Sequence, residues 1–333
     1  MWMGLLLSGT GMGAARTPEG SCQRELLEPG QIVTRTVKSS VTGAAVTLRA
    51  LAVDPLGTFV AGPRKVIFYF HGFGGSLEAS RDGAFLANLL ATLTAKSPAP
   101  PIVIIISGGP FLMGLNGVSE RARKHLSGSF VAPHDLLPFL SELSARVGAP
   151  RKKTVLLGGS MGAVTAWNLA LTAPERFSRV LTFALPDADS FEGIVKDTSS
   201  EALGFAFPWD EDSGAWTREQ LGRLQSFVIN GNAMPMSRFI FGSLSEWNAF
   251  SPVQRMESEG IPTPFMPVFV TTGRRDRFGY FEPNLSLTRL IWGVWGTAHF
   301  EPFDGDHAGP YPLPAMADFM LSDEPESTDY LDR

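Results

Sequence analysis

The 333-residue chain is poor in cysteine, in long apolar runs and in clustered basic charge, and each shortage removes a class of protein. Cys22 is the single cysteine, which excludes an intrachain disulfide framework and a cysteine-rich zinc site. A thiol there, close to the start of the chain, reads as incidental. No apolar run reaches the ~18 to 20 residues that a membrane-spanning helix needs, so no transmembrane span is expected. The formal net charge of −5 comes without a basic run or stripe able to neutralise a phosphate backbone. Nucleic acid is therefore not an expected partner. Lys and Arg are also missing ahead of the short apolar patch in MWMGLLLSGTGMGAARTPEGSC, which makes residues 1–30 a poor secretory signal as written, at most the remnant of one. Cytoplasmic and exported locations stay equally open, as does the oligomeric state. No internal repeat is visible.

What is present is a globular composition, 44% apolar, in a chain long enough to bury a substantial core. IVTRTVKSS and AVTLRALAV, between residues 32 and 54, alternate as two strands joined around Thr42-Gly43. Thereafter strand and helix signals take turns. KVIFYF (65–70), PIVIIIS (101–107), TVLLG (154–158), SRVLTFAL (178–185) and PVFVTTG (267–273) read as buried strands, with a last one within 295–303. Helical spacing runs over 81–95, 134–148 with Pro138 in its first turn, 163–174, near 284–293, and over 313–321. Continuous apolar strands separated by helices predict an α/β fold, a mostly parallel sheet covered on both faces.

The alternation lapses between residues 186 and 264, too long a stretch for an ordinary connection. The reading is a first part of the core over 31–185, a cap or lid insertion over 186–264, the second part of the core over 265–321 and an acidic tail over 322–333. Aromatic and methionine residues of the insertion, among them Phe205, Trp209, Trp216, Met234, Phe241 and Trp247, suit the lining of an acyl pocket or, more ordinarily, packing within a cap.

The chemistry starts at Gly158-Gly159-Ser160-Met161-Gly162, a G-x-S-x-G string set between a predicted strand and a predicted helix. A turn that sharp needs small residues at Gly158 and Gly162, and it holds the serine in a strained backbone that a fold retains only where its surroundings enforce it. The return is an Oγ raised above the sheet edge at a helix N-terminus. A second glycine-rich turn, His71-Gly72-Phe73-Gly74-Gly75, follows KVIFYF and lets backbone N–H groups face a ligand. Two fixed donors stabilise the oxyanion of an attacked carbonyl. Met161 and Phe73 are the candidates, with Gly74 as second choice for Phe73, while His71 is expected to brace the loop.

A serine hydroxyl needs a base, and the base an orienting carboxylate. Of five histidines, His307 in FDGDHAGP lies between the last predicted strand and the last helix, in a loop that Gly305 and Gly309 free to fold over the sheet edge. It is the favoured base. His299, read as part of a strand, is the competitor, whereas His125 and His134 read as structural. Asp276, just past a buried strand, is the acid; pairing with Arg274, Arg275 or Arg277 in a solvated turn is its other reading. Asp304 and Asp306 stand too near His307 in sequence to be preferred, although Asp306 is able to influence its loop. His299, Asp304, Asp306 and His307 do not make a convincing metal set.

With HGFGG, GGSMG, Asp276 and His307 in this order, the chain over roughly residues 50–321 resembles the α/β-hydrolase-fold serine esterases. The resemblance implies a small-molecule ester substrate, an inserted cap and a Ser-His-Asp mechanism that needs no cofactor. In that mechanism Ser160 attacks the carbonyl, His307 carries the proton and Asp276 holds the imidazole. Phe73 departs from the HGGG string of the family. A scarcity of charge near these segments favours a neutral or apolar acyl group. A peptidase or amidase, an acyltransferase, and a binding protein on the same scaffold are the alternatives; Ser160 in place of a carboxylate argues against dehalogenation.

Overall fold

The computed structural model describes residues 27–57, 64–109, 112–149, 153–186, 243–259, 266–295 and 297–323. The insertion residues 187–242 and 260–265, with Phe205, Trp209, Trp216, Met234 and Phe241, lie outside them, as do Cys22 and the acidic tail from residue 324.

An eight-stranded sheet organises the described chain. Its strands are β1 (Ile32–Lys38), β2 (Ala45–Val53), β3 (Val66–Phe70), β4 (Ile102–Ser107), β7 (Thr154–Gly159), β8 (Arg179–Phe183), β9 (Val268–Thr271) and β10 (Ala298–Phe300), in the spatial order β1-β2-β4-β3-β7-β8-β9-β10. From β4 to β10 every neighbouring pair is parallel. β1 and β2 form an antiparallel hairpin that joins antiparallel to β4. β5 (Met113–Gly114) and β6 (Phe130–Val131) make a separate two-residue ladder.

Side-chain alternation explains the layering. Successive residues of a strand face opposite sides, so a strand apolar throughout requires cover on both. In β3, Val66, Phe68 and Phe70 enter one buried cluster and Ile67 and Tyr69 the other. The helices α1 (Leu77–Asp82), α2 (Ala84–Lys96) and α9 (Leu313–Leu321) belong to the second face, through Leu77, Leu86, Leu89, Leu93, Met316 and Phe319. On the first face lie α3 (Glu120–His125), α4 (Pro133–Arg146), α5 (Met161–Thr172), α6 (Leu244–Phe250), α7 (Pro252–Glu259) and α8 (Phe281–Trp295). Large side chains such as Phe139, Trp167 and Phe269 are fully enclosed. An apolar side chain of that kind stabilises the fold by roughly 1.5–3 kcal/mol relative to exposure. Trp167 also satisfies its indole, donating to Thr182 Oγ1 at 3.2 Å.

Several boundaries move, each for a local reason. The helix expected over 81–95 is two helices, because Gly83 is extended at φ −76°, ψ 145° and separates α1 from α2. Ser76 caps the first by accepting from Ala79 N at 3.0 Å. Pro133 starts α4 one residue early, which moves Pro138 from the first turn into the helix interior. α5 stops at Thr172, ahead of Ala173-Pro174, where proline steers the preceding residue away from helical geometry and Ala173 stands at φ −145°, ψ 62°. Helices α6 and α7, counted with the insertion in the sequence, bury Trp247, Phe250 and Met256 in the cluster that holds α5. Arg255 of α7 donates to Asn168 of α5 at 2.6 Å.

Candidate active site

Turns following the C-terminal ends of β3, β7, β9 and β10 converge at one edge of the sheet, the edge where open α/β sheets place their ligands. Ser160 stands between β7 and α5 with φ 49° and ψ −122°, a left-handed conformation costly for a residue with a Cβ. Its N–H donates to Phe183 O at 2.8 Å, and its carbonyl accepts from Ala163 N at 2.8 Å. Everything around it is tightly packed: Met161 to Leu171 of α5 are buried without exception.

The glycines of the elbow are required by close approach. A Cβ on Gly162 would overlap the carbonyl of Phe70 at the end of β3, with the carbonyl carbon at 2.5 Å and His71 O at 2.7 Å. On Gly158 it would meet Ala163 Cα at 2.6 Å. These are backbone atoms and cannot swing aside. Gly162→Ala is therefore expected to cost about 1–3 kcal/mol, the usual scale of overpacking. Urea unfolding reads this directly, and wild-type stability in that variant would refute the close-packing account.

His307 and Asp276 come to the serine from different turns. His307 Nε2 is 3.0 Å from Ser160 Oγ, and His307 Nδ1 is 2.8 Å from Asp276 Oδ2. A carboxylate only accepts, so Nδ1 carries the proton and Nε2 is left to accept from the serine hydroxyl. The Asp276 side chain is wholly buried, and its other oxygen accepts from Phe278 N at 2.9 Å. The ring of Phe278 stands edge-on to the imidazole, centroids 4.6 Å apart. Asp276 is thus engaged with His307, and the arginine pairing that was its other reading goes elsewhere: Arg277 pairs with Asp306, and Arg275 with Asp304.

His299 does lie in a strand, β10, where its Nε2 faces Glu301 Oε2 at 3.1 Å and its ring stacks on Phe269. His125 is buried at the end of α3, and His134 is exposed at the start of α4.

The turn after β3 reaches the same point. A Cβ built on Gly72 would sit 3.3 Å from Ser160 Cβ, and Gly74 has φ +74°. Gly75 N closes the turn on Gly72 O at 3.1 Å. Phe73 is partly buried against the core. Met161, as the first residue of α5, has an N–H outside the intrahelical ladder. His71 is enclosed, with Nδ1 2.8 Å from Gly72 O and Nε2 2.9 Å from Ser107 Oγ. Burial lowers its pKa, so the ring is neutral near pH 7; Nδ1–H donates to the carbonyl and Nε2 accepts from Ser107. One nitrogen is occupied within the turn and the other by Ser107 at the end of β4.

Asp306 is expected from the sequence to influence the loop of His307, whereas two further groups, Tyr311 and Ser107, are not picked out there. Tyr311 donates its phenol to His307 O at 2.9 Å. Burial, with the nearby Asp276 and Asp306 charges, pushes that phenol up to about 12, so it remains a donor at neutral pH. Asp306 accepts from His307 N at 2.6 Å, and its hydrogen bonds from Arg277 hold its carboxyl well below the usual carboxylate range. Ser107 bonds His71 and so belongs with the turn after β3, not with His307. A recess of about 770 Å³ lined by Leu140, Thr154, Arg176 and Phe177 lies at the end of β7 opposite Ser160 and is not part of this site.

Known proteins agree with this architecture. The model of the family described as "Putative esterase" matches residues 60–280. Among solved structures, an α/β-hydrolase enzyme from the metagenome of Lake Arreo, Spain, determined as its Ser161Ala mutant, is 14% identical with a TM-score of 0.53, over 89% of this chain and 83% of that one. Esterase LipW from Mycobacterium marinum is 15% identical with a TM-score of 0.52, over 87% and 79%. The fluorophosphonate-binding serine hydrolase F of Staphylococcus aureus is 13% identical with a TM-score of 0.51, over 88% and 97%. At such identities the likeness is one of fold. No curated protein matches the chain.

Proposed function

The chain belongs to the esterase family and is an ester-hydrolysing serine hydrolase of α/β-hydrolase fold, and on that premise we propose that Ser160, His307 and Asp276 are its catalytic triad, working through an acyl-enzyme on Ser160. One observation carries the reading: the unbroken contact from Ser160 Oγ through the His307 ring to Asp276, anchored on a serine held at φ 49°.

In the proposed cycle Ser160 Oγ bonds to the ester carbonyl carbon as its proton passes to His307 Nε2. The oxyanion is met by the N–H of Met161 and that of Phe73, with Gly74 the second choice. Collapse breaks the bond to the alcohol oxygen, which leaves with the proton from Nε2. Water then gives a proton to Nε2 as it attacks the acyl carbon; collapse breaks the bond to Oγ, the carboxylic acid leaves, and Nε2 returns its proton to Ser160 Oγ. Asp276 keeps the Nδ1 proton in place and stabilises the imidazolium, so the cycle draws on no metal or cofactor.

The apolar surroundings of the base, Phe278 and the buried Tyr280, support a neutral or apolar ester as substrate. In the proposed domain plan residues 186–264 are the cap or lid insertion, of which the described helices, α6 and α7, pack into the core beside α5.

Fluorophosphonate exposure followed by intact-mass measurement tests the reading. One adduct per chain, mapped to the Ser160 peptide and formed in step with loss of p-nitrophenyl ester turnover, is the expected result. An adduct on another residue would move the nucleophile. Turnover of anilides as fast as of esters would favour an amidase, and transfer to an added alcohol an acyltransferase.

A further inference from the structure

The acid and the base stand on separate turns, and something must fix the distance between them. Backbone hydrogen bonds join the turns at their roots, from Phe303 N to Thr272 O at 3.2 Å, from Arg274 N to Phe303 O at 2.9 Å and from Arg275 N to Gly305 O at 3.0 Å. Beyond these points the chains run on to Asp276 and His307. There the Asp306 side chain bridges them. Its Oδ1 accepts from Arg277 N at 2.9 Å and from His307 N at 2.6 Å, while Oδ2 accepts from Arg277 Nε at 2.7 Å and also from Nη2. One carboxylate thus grips the backbone of the residue next to the acid and the backbone of the base itself.

Resting on the triad reading above, we infer that Asp306 and Arg277 form a clasp that positions His307 against Asp276 and Ser160, acting through the backbone without touching substrate. The side chains are about half exposed, 52% for Arg277 and 36% for Asp306. An ion pair so exposed adds little to the stability of a fold. Its effect lies in geometry, where a displacement of about 1 Å in a reacting group costs on the order of 10²-fold in rate. The neighbouring pair Arg275–Asp304 provides the contrast. It spans the same two turns at 2.9 Å, yet its side chains are 72% and 82% exposed, and Asp304 stands further along the chain from His307 than Asp306, which directly precedes it.

Steady-state kinetics on a p-nitrophenyl ester, with the full chain, test the clasp. Asp306→Ala is expected to lower kcat by about 10- to 100-fold with KM within about twofold of wild type, and to slow fluorophosphonate labelling by the same factor. Asp306→Asn, which keeps one acceptor for the two backbone N–H groups, should lose less, about 3- to 10-fold if half of the grip remains. Asp304→Ala should leave kcat unchanged, and Asp306→Ala/Arg277→Ala should be no slower than Asp306→Ala alone. Wild-type kcat in either folded Asp306 variant, or an equal loss in Asp304→Ala, would overturn the inference. If Asp306→Ala does not fold, Asp306→Asn decides by the same criterion. Ser160→Ala runs beside them: inactive Ser160→Ala with fully active Asp306 variants removes the clasp alone, whereas active Ser160→Ala removes the triad reading beneath it.

Discussion

Replacement of Ser160 by alanine is expected to lower kcat for p-nitrophenyl esters by on the order of 10⁶-fold, leaving only what oxyanion donors and binding supply. Among the described residues the hydroxyl is the one group in contact with His307 Nε2 that is able to form the acyl bond, and the proposed base has no role without it. The fold should be indifferent to the change. Alanine has the same Cβ in the same left-handed backbone, so neither the strain at φ 49° nor the hydrogen bond from residue 160 N to Phe183 O is altered. Circular dichroism and the thermal midpoint should match wild type. Turnover above about one hundredth of wild type in the purified variant would show that the reaction runs elsewhere, since subtilisin-type knockouts lose far more.

Asp276→Asn is the second large effect, about 10⁴-fold in kcat. The acid is buried and fully engaged, Oδ2 with His307 Nδ1 and Oδ1 with Phe278 N. Asparagine can keep the oxygen toward Phe278 only by turning its NH₂ toward Nδ1. The imidazole must then carry its proton on Nε2, the atom that faces Ser160, and a protonated Nε2 cannot accept from the hydroxyl. The residue remains isosteric, so the cost is in chemistry more than in folding. A loss below tenfold in a folded Asp276→Asn would assign the orienting role to another group.

The sheet was legible because its strands are buried on both faces: VIFYF, IVIIIS and VFVT leave no other arrangement than a covered parallel sheet. The elbow and the late histidine were legible for a different reason, since glycines at Gly158, Gly162, Gly305 and Gly309 mark places where the chain must turn or touch another backbone. Met113–Gly114 and Phe130–Val131 were not, because two residues carry no periodicity. The break at Gly83 was hidden inside a helical pattern that continues on either side of it. The partnership of Arg277 with Asp306 was illegible in principle. RRDR and DGD each read as a solvated charged turn, and only the pairing of β10 with β9 brings them together.

In the glycine-rich turn after β3, HGFGG reads as a source of backbone donors, with His71 expected to brace the loop. The surroundings of His71 supply the physical means. Closed off from solvent, kept neutral by burial and held between Gly72 and Ser107, it stiffens the turn that runs past Ser160. A histidine at the end of a buried strand is bound to its neighbours before any substrate arrives. The residue that works as the base needs the opposite, a nitrogen directed across a gap and a second nitrogen fixed by a carboxylate.

Ser160 and His307 are 147 residues apart in the chain. That spacing dictates a schedule. A ribosome delivers the β7 strand, its elbow and α5 long before β9 and β10, and domains take shape from the N-terminal side as they emerge. In the proposed triad, Ser160 is through that interval an unassisted alcohol, since Asp276 and His307 have not yet been made. With that triad, hydrolytic power switches on only when the last strands join the sheet, and a nascent, stalled or truncated chain carries Ser160 without the groups proposed to activate it.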